Sequence, residues 1–451
     1  MHPIHGIVKD ALEIDLTQML EAGHDETTLR SELDEAAAMD STDALLKLQE
    51  DWWSRPSPDG FPYDEPSDWE TISSHFPDAE SHARFTGTDD ELADRILAGW
   101  QGRCAGCQLG KPLEGPSKPA VIERILKTVG SWPLADYMNP PPPGLEIEKL
   151  PDCDFFEKSW KTNNCKGRFH AVAPDDDIHY ALIGQRVLAA KGVEFTSDDV
   201  MREVIARTPG NSIFASGRNM YRTGLMGMTP PHTALFGNPC RQSLGAQIRC
   251  DPWGWGAPAN PALAARMAYK DAYATQTRNG IYSGIFFAVA MADALAHGDA
   301  ARALETASAY VPPKTRFAEM LAFVKEQCAA HADWAAVNAA IHREYEREAA
   351  RFNHSLPNAA IVVMGILKGG GEFTRTIGVT VMAGLDTDCT GATAGSIMGC
   401  ALGTAGIPSH WTAPFNDTIH TNLCDMRELK ISDVGRQMYE IAKGNARHDS
   451  R

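Results

Sequence analysis

The sequence predicts an all-α protein. From residue 261 onward, apolar residues recur at three- and four-residue spacing, the pattern of helices with one buried face. Strand-like alternation is scarce, and no strand–helix–strand alternation or fixed-period repeat is visible. With 43% hydrophobic and 22% charged residues, the 451-residue chain has enough apolar material for a large core. We therefore expect a mostly helical, globular fold.

The N-terminal part differs in character from the rest of the chain. Residues 1–50 show helical patterning in which acidic or hydroxyl residues stand just before two helices, as N-caps do. These two helices are predicted over residues 27–38 and 43–50. Residues 51–90 are rich in Trp, Pro and Asp, so we expect an irregular segment that wraps against the rest of the protein. We accordingly divide the chain into an N-terminal extension, residues 1–90, and a second domain, residues 91–451.

Helical patterns continue through the second domain, interrupted by two irregular stretches. The predicted helices span residues 89–108, 178–191, 262–274, 281–297, 300–310, 314–330, 335–348, 357–367, 390–403 and 432–443. One irregular stretch begins at the Pro-rich residues 139–144 and runs to about residue 174. The other, residues 209–262, is dense in Gly, Pro, Asn and aromatic residues. A loop of that length is uncommon unless it is functional.

Charge and cysteine content restrict the partners and the compartment. With 42 basic and 59 acidic residues the formal net charge is −17, which argues against nucleic acid and against anionic membrane surfaces as partners. No signal-peptide pattern opens the chain, and its longest apolar runs fall short of the roughly 20 residues of a spanning helix. The one close cysteine pair, Cys104 and Cys107, is interpreted as small residues on a packed helix. We expect a soluble, cytoplasmic protein.

Two clusters of acidic residues stand where helices are predicted to begin. Asp175, Asp176 and Asp177 precede one helix, and Asp386 and Asp388 precede another. One or two acids at such a position are ordinary caps, and taken singly each cluster is explained in that way. Three consecutive aspartates exceed what capping uses, and their repulsion has to be offset by a cation or by protonation. Carboxylate oxygens are the ligands that Mg²⁺ and Mn²⁺ prefer, so the two clusters together predict a two-metal site.

Small residues mark one face of the helix that follows the second cluster. Gly391, Gly395, Gly399 and Gly403 recur every four residues, interleaved with alanines. Glycine costs a helix about 1 kcal/mol each relative to alanine, so four in register indicate very close packing. We expect this helix to bring its acidic end against another backbone, the one that carries the first cluster.

A phosphatase motif overlaps the second cluster. Residues 386–390 fit DxDxT, the nucleophile motif of haloacid-dehalogenase-type phosphatases. Those enzymes carry it on the first strand of a parallel sheet, with further motifs downstream. Here no alternating strands surround it and little chain follows, so this is a remote alternative.

With both clusters in view, the chain resembles the ADP-ribosylglycohydrolase family over roughly residues 90–410. The resembling stretches are a Gly-rich helix with its LGKPLEG turn at 99–115, the aspartate motif at 174–182, a middle region at 245–261 with 275–282, and the DTD motif with its small-residue helix at 384–403. The resemblance implies a compact multi-helix orthogonal bundle. It also implies a cleft that holds two Mg²⁺, or Mn²⁺, beside the ribose next to the bond to be cleaved.

The resemblance also implies roles for individual residues. The implied metal ligands are Asp175, Asp176, Asp177, Asp386 and Asp388. Glu114 or Asp177 is the implied catalytic carboxylate, which assists the attack of water on the ribose. Gly245, Gln247 and Arg249 correspond to a substrate-contacting loop. Asn279, Gly280 and Tyr282 begin a helix whose backbone N–H groups can hold phosphate, although helix capping explains them nearly as well.

This sequence departs from the family pattern at three positions. Asp175 replaces the usual Thr and adds a charge beside the first metal. Cys389 replaces the Thr that often follows the aspartate pair, and a thiol is a poor ligand for a hard cation, so Thr390 or water is expected to take its place. Gln276 stands where many relatives have His, which predicts different substrate contacts there.

Several aromatic and histidine residues are further candidates for the site. Trp253 and Trp255 can stack on an adenine, but we favour the interpretation that they anchor the long Gly- and Pro-rich stretch to the core. The isolated His170, His179 and His232 are assigned no catalytic role.

The predicted function is that of a metal-dependent hydrolase. It would cleave an N- or O-glycosidic ribosyl bond of an ADP-ribosylated protein or small molecule. One alternative is a hydrolase of the same fold that acts on a free nucleoside or another glycoside. Another is a non-catalytic member like the lens crystallin of this family, against which the retained aspartates argue. The sequence predicts no particular oligomeric state.

Overall fold

The computed structural model describes residues 3–77, 85–115, 118–156 and 158–447. Within those ranges nearly all regular structure is helical, so the all-α prediction is confirmed. The strands there form one short antiparallel hairpin, in which Ile419 lies opposite Leu429. The two strands are β1 (Thr418–His420) and β2 (Glu428–Lys430).

The N-terminal helices have a small hydrophobic core of their own. The helices of this core are α1 (Pro3–Glu21), α2 (Glu26–Ala38) and α3 (Thr42–Ser54), whereas Ile72 of the next helix, α4 (Trp69–Ser73), belongs to the main core. The predicted caps are present, because Asp25 accepts from the backbone N–H of Thr28 and Ser41 accepts from that of Ala44. Leu12, Leu29, Leu45 and Trp52 are among the residues of this core. Residues 55–68 then run without helix along the main body.

The next helices carry the first aspartate cluster toward the centre of the protein. They are α5 (Asp89–Gly110), α6 (Pro119–Thr128), α7 (Lys158–Asn163), α8 (Asp176–Lys191) and α9 (Ser197–Arg207). A capping box starts α5, with Thr88 and Glu91 each bonded to the other's backbone N–H. The predictions for α5 and α8 are confirmed within a few residues, whereas α6, α7 and α9 were missed.

The long loop predicted over residues 209–262 is wrong. The stretch contains α10 (Ala215–Leu225), α11 (His232–Leu235), α12 (Asp251–Trp255) and a 3₁₀ turn over Leu244–Arg249. Gly254 serves here for close packing, because a Cβ on it would lie 2.6 Å from the carbonyl oxygen of Ala288. Trp253 and Trp255 are 1% and 0% exposed, which agrees with an anchoring role.

The C-terminal half supplies most of the central core. Its helices are α13 (Pro261–Ala272), α14 (Asn279–His297), α15 (Ala300–Ser308), α16 (Arg316–Ala330), α17 (Trp334–Glu344), α18 (Glu346–Ala349), α19 (Ser355–Gly369), α20 (Phe373–Met382), α21 (Thr387–Leu402) and α22 (Ile431–Arg447). The helix predicted over 335–348 is broken at Tyr345, and α20 was not predicted. By length and composition α14 could cross a membrane, but 89% of its apolar window is buried inside the protein, as in a core helix.

The glycine face of α21 packs directly on α5. A Cβ on Gly395 would lie 2.1 Å from the carbonyl oxygen of Gly102, and one on Gly391 would lie 2.5 Å from that of Gly106. The predicted close packing is therefore present, but the partner is α5 and not α8, the helix of the first cluster. The contact sets the start of α21 beside Gly110 and the turn that follows α5.

Candidate active site

Both aspartate clusters and Glu114 meet at one cleft. The cavity has a volume of about 540 Å³. Carboxylates that line it are Glu114, Asp175, Asp176, Asp386 and Asp388. Oxygen atoms of Glu114, Asp386 and Asp388 lie within 4.8 Å of one another, and so do atoms of Asp177, Asp388 and Cys389. The convergence runs through α5: the seam sets the start of α21 beside Gly110 at the end of that helix, and Arg103 and Lys111 pair with Asp177 and Asp175 of the first cluster.

The first cluster is shaped by the start of α8. Asp175 is the N-cap and accepts from the backbone N–H of Asp177 at 2.9 Å. Its carboxylate also pairs with Nζ of Lys111, which donates to the carbonyl oxygen of Pro174 at 3.1 Å. Burial acts to raise the pKa of Asp175, but the Lys111 ammonium and the hydrogen bonds outweigh it and hold the pKa below its usual value. Asp175 therefore remains charged and oriented.

Asp177 lies beneath the cleft with no exposed side-chain surface. Its Oδ1 accepts from Nη2 of Arg103 at 2.9 Å, whereas its Oδ2 has no hydrogen-bond partner among the described residues. Burial raises the pKa of Asp177 well above its usual value, and the Arg103 guanidinium opposes that shift. A buried oxygen without a partner is costly, and a bound cation is one way to satisfy it.

The negative charges of the other carboxyl groups in the cleft also lack sufficient positive charge nearby. Burial, followed by the charges of Asp175 and Asp388, raises the pKa of Asp176 to about 8. Burial and nearby carboxylates likewise raise the pKa values of Glu114, Asp386 and Asp388. Like charges held this close stabilise the protonated forms unless a cation lies between them.

The donor set fits a hard divalent cation. The groups that converge are mostly carboxylate oxygens, which Mg²⁺ and Mn²⁺ prefer. Cys389 belongs to one of these groups, whereas the hydroxyl of Thr390 donates to the backbone carbonyl oxygens of Asp386 and Thr387. A second sulfur, that of Cys107, lies within 4.8 Å of Asp175 and Asp177. The acidic residues could therefore hold metal, with thiols at the edge of the site.

Two of the predicted substrate-loop residues line the cleft. Gly245 and Arg249 are at its wall, and Arg249 is fixed by Asp271, whose carboxylate accepts from Nε at 2.9 Å. Gln247 lies behind the wall, where its amide donates to the Thr393 hydroxyl at 3.4 Å. The side-chain oxygen of Gln276 accepts from the hydroxyl of Ser216, a residue of the cleft wall, at 2.6 Å, and its amide nitrogen donates to the carbonyl oxygen of Arg241 at 2.7 Å.

The start of α14 faces the N-terminal extension instead of the cleft. The amide of Asn279 donates to the Glu65 carboxylate at 3.0 Å, and the Tyr282 hydroxyl donates to the carbonyl oxygen of Pro66. Gly280 lies against Gln276 and the backbone of Arg241. The substrate role of these residues stays a prediction: Asn279 and Tyr282 contact the extension, and Gly280 contacts the main body.

Several cleft residues were missed from the sequence. Tyr180 and Phe214 line the cleft, the former with a buried hydroxyl that has no partner among the described residues. In the sequence Lys111 stands within the LGKPLEG turn and Arg103 among small residues of a helix, so neither position carries a signal of its own. His179 borders the cleft and accepts from the backbone N–H of Asn422 at 3.0 Å, while burial lowers its pKa to about 4.

Comparison with known proteins agrees with this architecture. The profile of the ADP-ribosylglycohydrolase family matches residues 88–440. A solved structure described as an ADP-ribosylglycohydrolase-related protein complex has a TM-score of 0.50 and 16% sequence identity, covering 78% of this chain and 99% of that chain, which shows a shared fold. No curated protein matches the chain in sequence. Because the family profile matches most of the chain, the protein belongs to the ADP-ribosylglycohydrolase family.

Proposed function

We propose that this protein is a metal-dependent hydrolase that cleaves a ribosyl N- or O-glycosidic bond of an ADP-ribosylated protein or small molecule. The observation that carries the proposal is the convergence of both aspartate clusters with Glu114 in a cleft of about 540 Å³. That volume lies in the range of small-molecule sites, so it suits a nucleotide-sized ligand. Family membership supports glycoside hydrolysis as the reaction class.

Two Mg²⁺ or Mn²⁺ ions would be held by Asp175, Asp176, Asp177, Asp386 and Asp388. Such ions orient vicinal hydroxyl groups and lower the pKa of water. The protein's own part is to fix the carboxylates: Lys111 holds Asp175, and Arg103 holds Asp177. The backbone N–H of Cys389 donates to the Asp388 carboxylate at 3.0 Å and orients that group as well.

Glu114 is favoured over Asp177 as the carboxylate that moves a proton. Asp177 is fully buried and has one oxygen occupied by Arg103. Glu114 is half-buried and lines the cleft, so its carboxyl group can reach a water or a leaving group there. Carboxylates at such a position serve as general acid or base in glycoside hydrolysis.

Other residues that line the cleft suit the rest of a nucleotide. Phe214 is 50% exposed and offers a flat face on which a nucleobase can stack. The unpartnered hydroxyl of Tyr180 and the hydroxyl of Ser216 are polar groups for a sugar or phosphate oxygen. We therefore propose that the base lies near Phe214 and the ribose near the aspartates.

Calorimetric titration of metal-stripped protein with ADP-ribose, with and without Mg²⁺, tests the proposal. We expect ADP-ribose to bind only with Mg²⁺, and Asp388→Asn to lose both Mg²⁺ binding and hydrolysis. Binding of Mg²⁺ without ADP-ribose would point to another ribosyl compound, such as a free nucleoside. Absence of Mg²⁺ binding would refute the proposal and reduce the aspartates to helix caps.

A further inference from the structure

A second cavity lies beneath the N-terminal extension. Its volume is about 640 Å³, larger than the acidic cleft. Its walls come from α1, from residues 52–68, and from residues 273–278 just before α14. Among the described residues none lines both cavities, and Gln276 lies between them: it lines the second cavity and bonds to Ser216 of the cleft.

Aromatic rings form much of the wall of this second cavity. The rings of Trp53, Phe61, Tyr63 and Tyr273 line it, each on a half-buried residue. Ligand sites in proteins are typically pockets of this size, lined by apolar and aromatic groups with a few polar groups placed among them. A flat ring between these side chains would gain both apolar burial and ring contacts.

Among the described residues, Arg278 is the one arginine lining this cavity that forms no ion pair, although the charge of Glu65 acts on it from nearby. Arg241 pairs with Asp15, and Arg55 pairs with Glu32 at 3.0 Å. Among the described residues, nothing accepts a hydrogen bond from the Arg278 guanidinium or forms an ion pair with it. Burial accordingly lowers the pKa of Arg278. A mostly buried guanidinium without a counter-ion costs free energy, which an anionic ligand would recover.

The backbone conformation of Arg278 is also unfavourable in free energy. Its φ of +48° and ψ of −123° belong to the first central position of a type II′ turn, which favours glycine. An arginine is held there because the backbone N–H donates to the hydroxyl of Ser67 at 3.0 Å. The fold thus places an unpaired cation, through a strained backbone, at the wall of an aromatic cavity; such strain tends to occur at functional sites.

We propose that this cavity is a second ligand site, which takes a molecule with a single anionic group on a flat ring: a nucleoside monophosphate or an aromatic carboxylate. The anion pairs with Arg278, and the ring lies among Trp53, Phe61 and Tyr273. Asp64 and Asp68 also line the cavity and disfavour ligands with several negative charges. Because residues of the extension and of the main body both line it, the ligand fastens one to the other.

Calorimetry on the full-length protein in EDTA, with AMP, adenosine and benzoate as probes, tests this site. We expect AMP or benzoate to bind the wild type and Asp388→Asn equally, and Arg278→Gly at least tenfold more weakly. Arg278→Lys keeps the charge without the planar fork and should fall between them. Binding of AMP assigns the site to nucleotides, and binding of benzoate alone assigns it to carboxylates.

Other outcomes would overturn the site. They are no binding of either anion, equal binding of adenosine and AMP, or loss of binding in Asp388→Asn with retention in Arg278→Gly. The thermal midpoint provides the check on folding: glycine relieves the turn, so Arg278→Gly should be at least as stable as the wild type. A destabilised Arg278→Gly would mean that the side chain serves the fold, and would contradict the proposal.

Discussion

Arg103 and Asp177 form an ion pair that is wholly buried beneath the acidic cleft. Nη2 of Arg103 donates to Oδ1 of Asp177 at 2.9 Å, and neither side chain has exposed surface. The same guanidinium donates to Asp251 at 2.7 Å and to the carbonyl oxygen of Ile248. One cation therefore compensates two buried carboxylates, and its removal would leave both without a counter-charge.

Replacing Arg103 by Met should destabilise the protein by about 3–5 kcal/mol, because uncompensated buried carboxylates are costly. Urea unfolding at pH 7 measures the difference. The matched control is Arg30→Met, since Arg30 pairs with Glu26 at 2.9 Å on an exposed helix face. That change should cost less than about 1 kcal/mol. Equal effects of the two substitutions would contradict the assigned role of Arg103.

The contrast between Arg103 and the aspartates shows what the sequence reveals about a site. Consecutive carboxylates at a helix start are a local signal, so both clusters could be found before the structure. Arg103 bonds to Asp251, 148 residues away, and nothing in the local sequence distinguishes it from an exposed helical arginine. Charge compensation of this kind depends on tertiary packing, which neither periodicity nor capping reveals.

Gly395 should not tolerate a methyl group. Alanine is favoured over glycine in a helix by about 1 kcal/mol, but a Cβ at Gly395 would lie 2.1 Å from the carbonyl oxygen of Gly102. We expect Gly395→Ala to destabilise the protein by about 1–3 kcal/mol and to lower hydrolysis, since the seam positions the aspartates. The control is Gly444→Ala in α22, where no atom lies within 4 Å of the new Cβ. It should be neutral or stabilising, as measured by the thermal midpoint of each variant.

Fold prediction failed where a glycine that admits a neighbouring backbone lies outside a periodic helical pattern. Gly391 and Gly395 repeat at helical spacing, so their packing role was visible in the sequence. Gly254 stands next to tryptophans and prolines in a stretch that has no periodicity, and was assigned to a loop. Its close approach to Ala288 is a contact between distant parts of the chain. Composition cannot distinguish a glycine that makes a turn from one that admits a neighbouring backbone.

Asp388→Asn should abolish stabilisation by Mg²⁺ without lowering the stability of the metal-free protein. Its carboxylate lies within 4.8 Å of those of Asp386 and Glu114, so the substitution removes repulsion in metal-free protein. We expect the thermal midpoint in EDTA to be unchanged or raised. At 100 times the Kd, Mg²⁺ should stabilise the wild type by about 2.7 kcal/mol, and the variant not at all. Asp198→Asn, a substitution on α9 of a half-buried residue that does not line the cleft, should keep the full effect of Mg²⁺. A lowered midpoint of Asp388→Asn in EDTA would contradict the repulsion argument.

Glu65 fastens the extension to the main body. Its carboxylate accepts from the Arg316 side chain at 2.5 Å and from the amide of Asn279 at 3.0 Å. Glu65→Gln should therefore destabilise the protein by about 3 kcal/mol and expose residues 55–68 to proteolysis. Glu319→Gln removes the charge of the exposed acceptor of the Tyr63 hydroxyl, keeps an amide oxygen there, and should change neither property much. Resistance of Glu65→Gln to limited proteolysis would show that other contacts hold the segment.

His354 should make the fold sensitive to acid. Burial, with the charges of Arg316 and Arg351, lowers its pKa to about 3, and its Nδ1 accepts from the backbone N–H of Leu356. The unfolded chain takes up a proton near pH 6.5, whereas the folded protein does not until about pH 3. The contribution of His354 is thus fully present above pH 6.5 and is lost progressively as the pH falls toward 3. At pH 5 the loss amounts to about 2 kcal/mol.

Asparagine can cap α19 in the same way but does not titrate, so His354→Asn isolates this contribution. Urea unfolding of both proteins from pH 7.5 to pH 5 should show the wild type losing about 2 kcal/mol more than the variant. Subtracting the two curves cancels the pH-dependent contribution of the cleft carboxylates to stability, because both proteins contain them. Parallel curves would mean that the folded protein accommodates a protonated His354, through solvent access or through a shift toward the nearby Glu65 carboxylate.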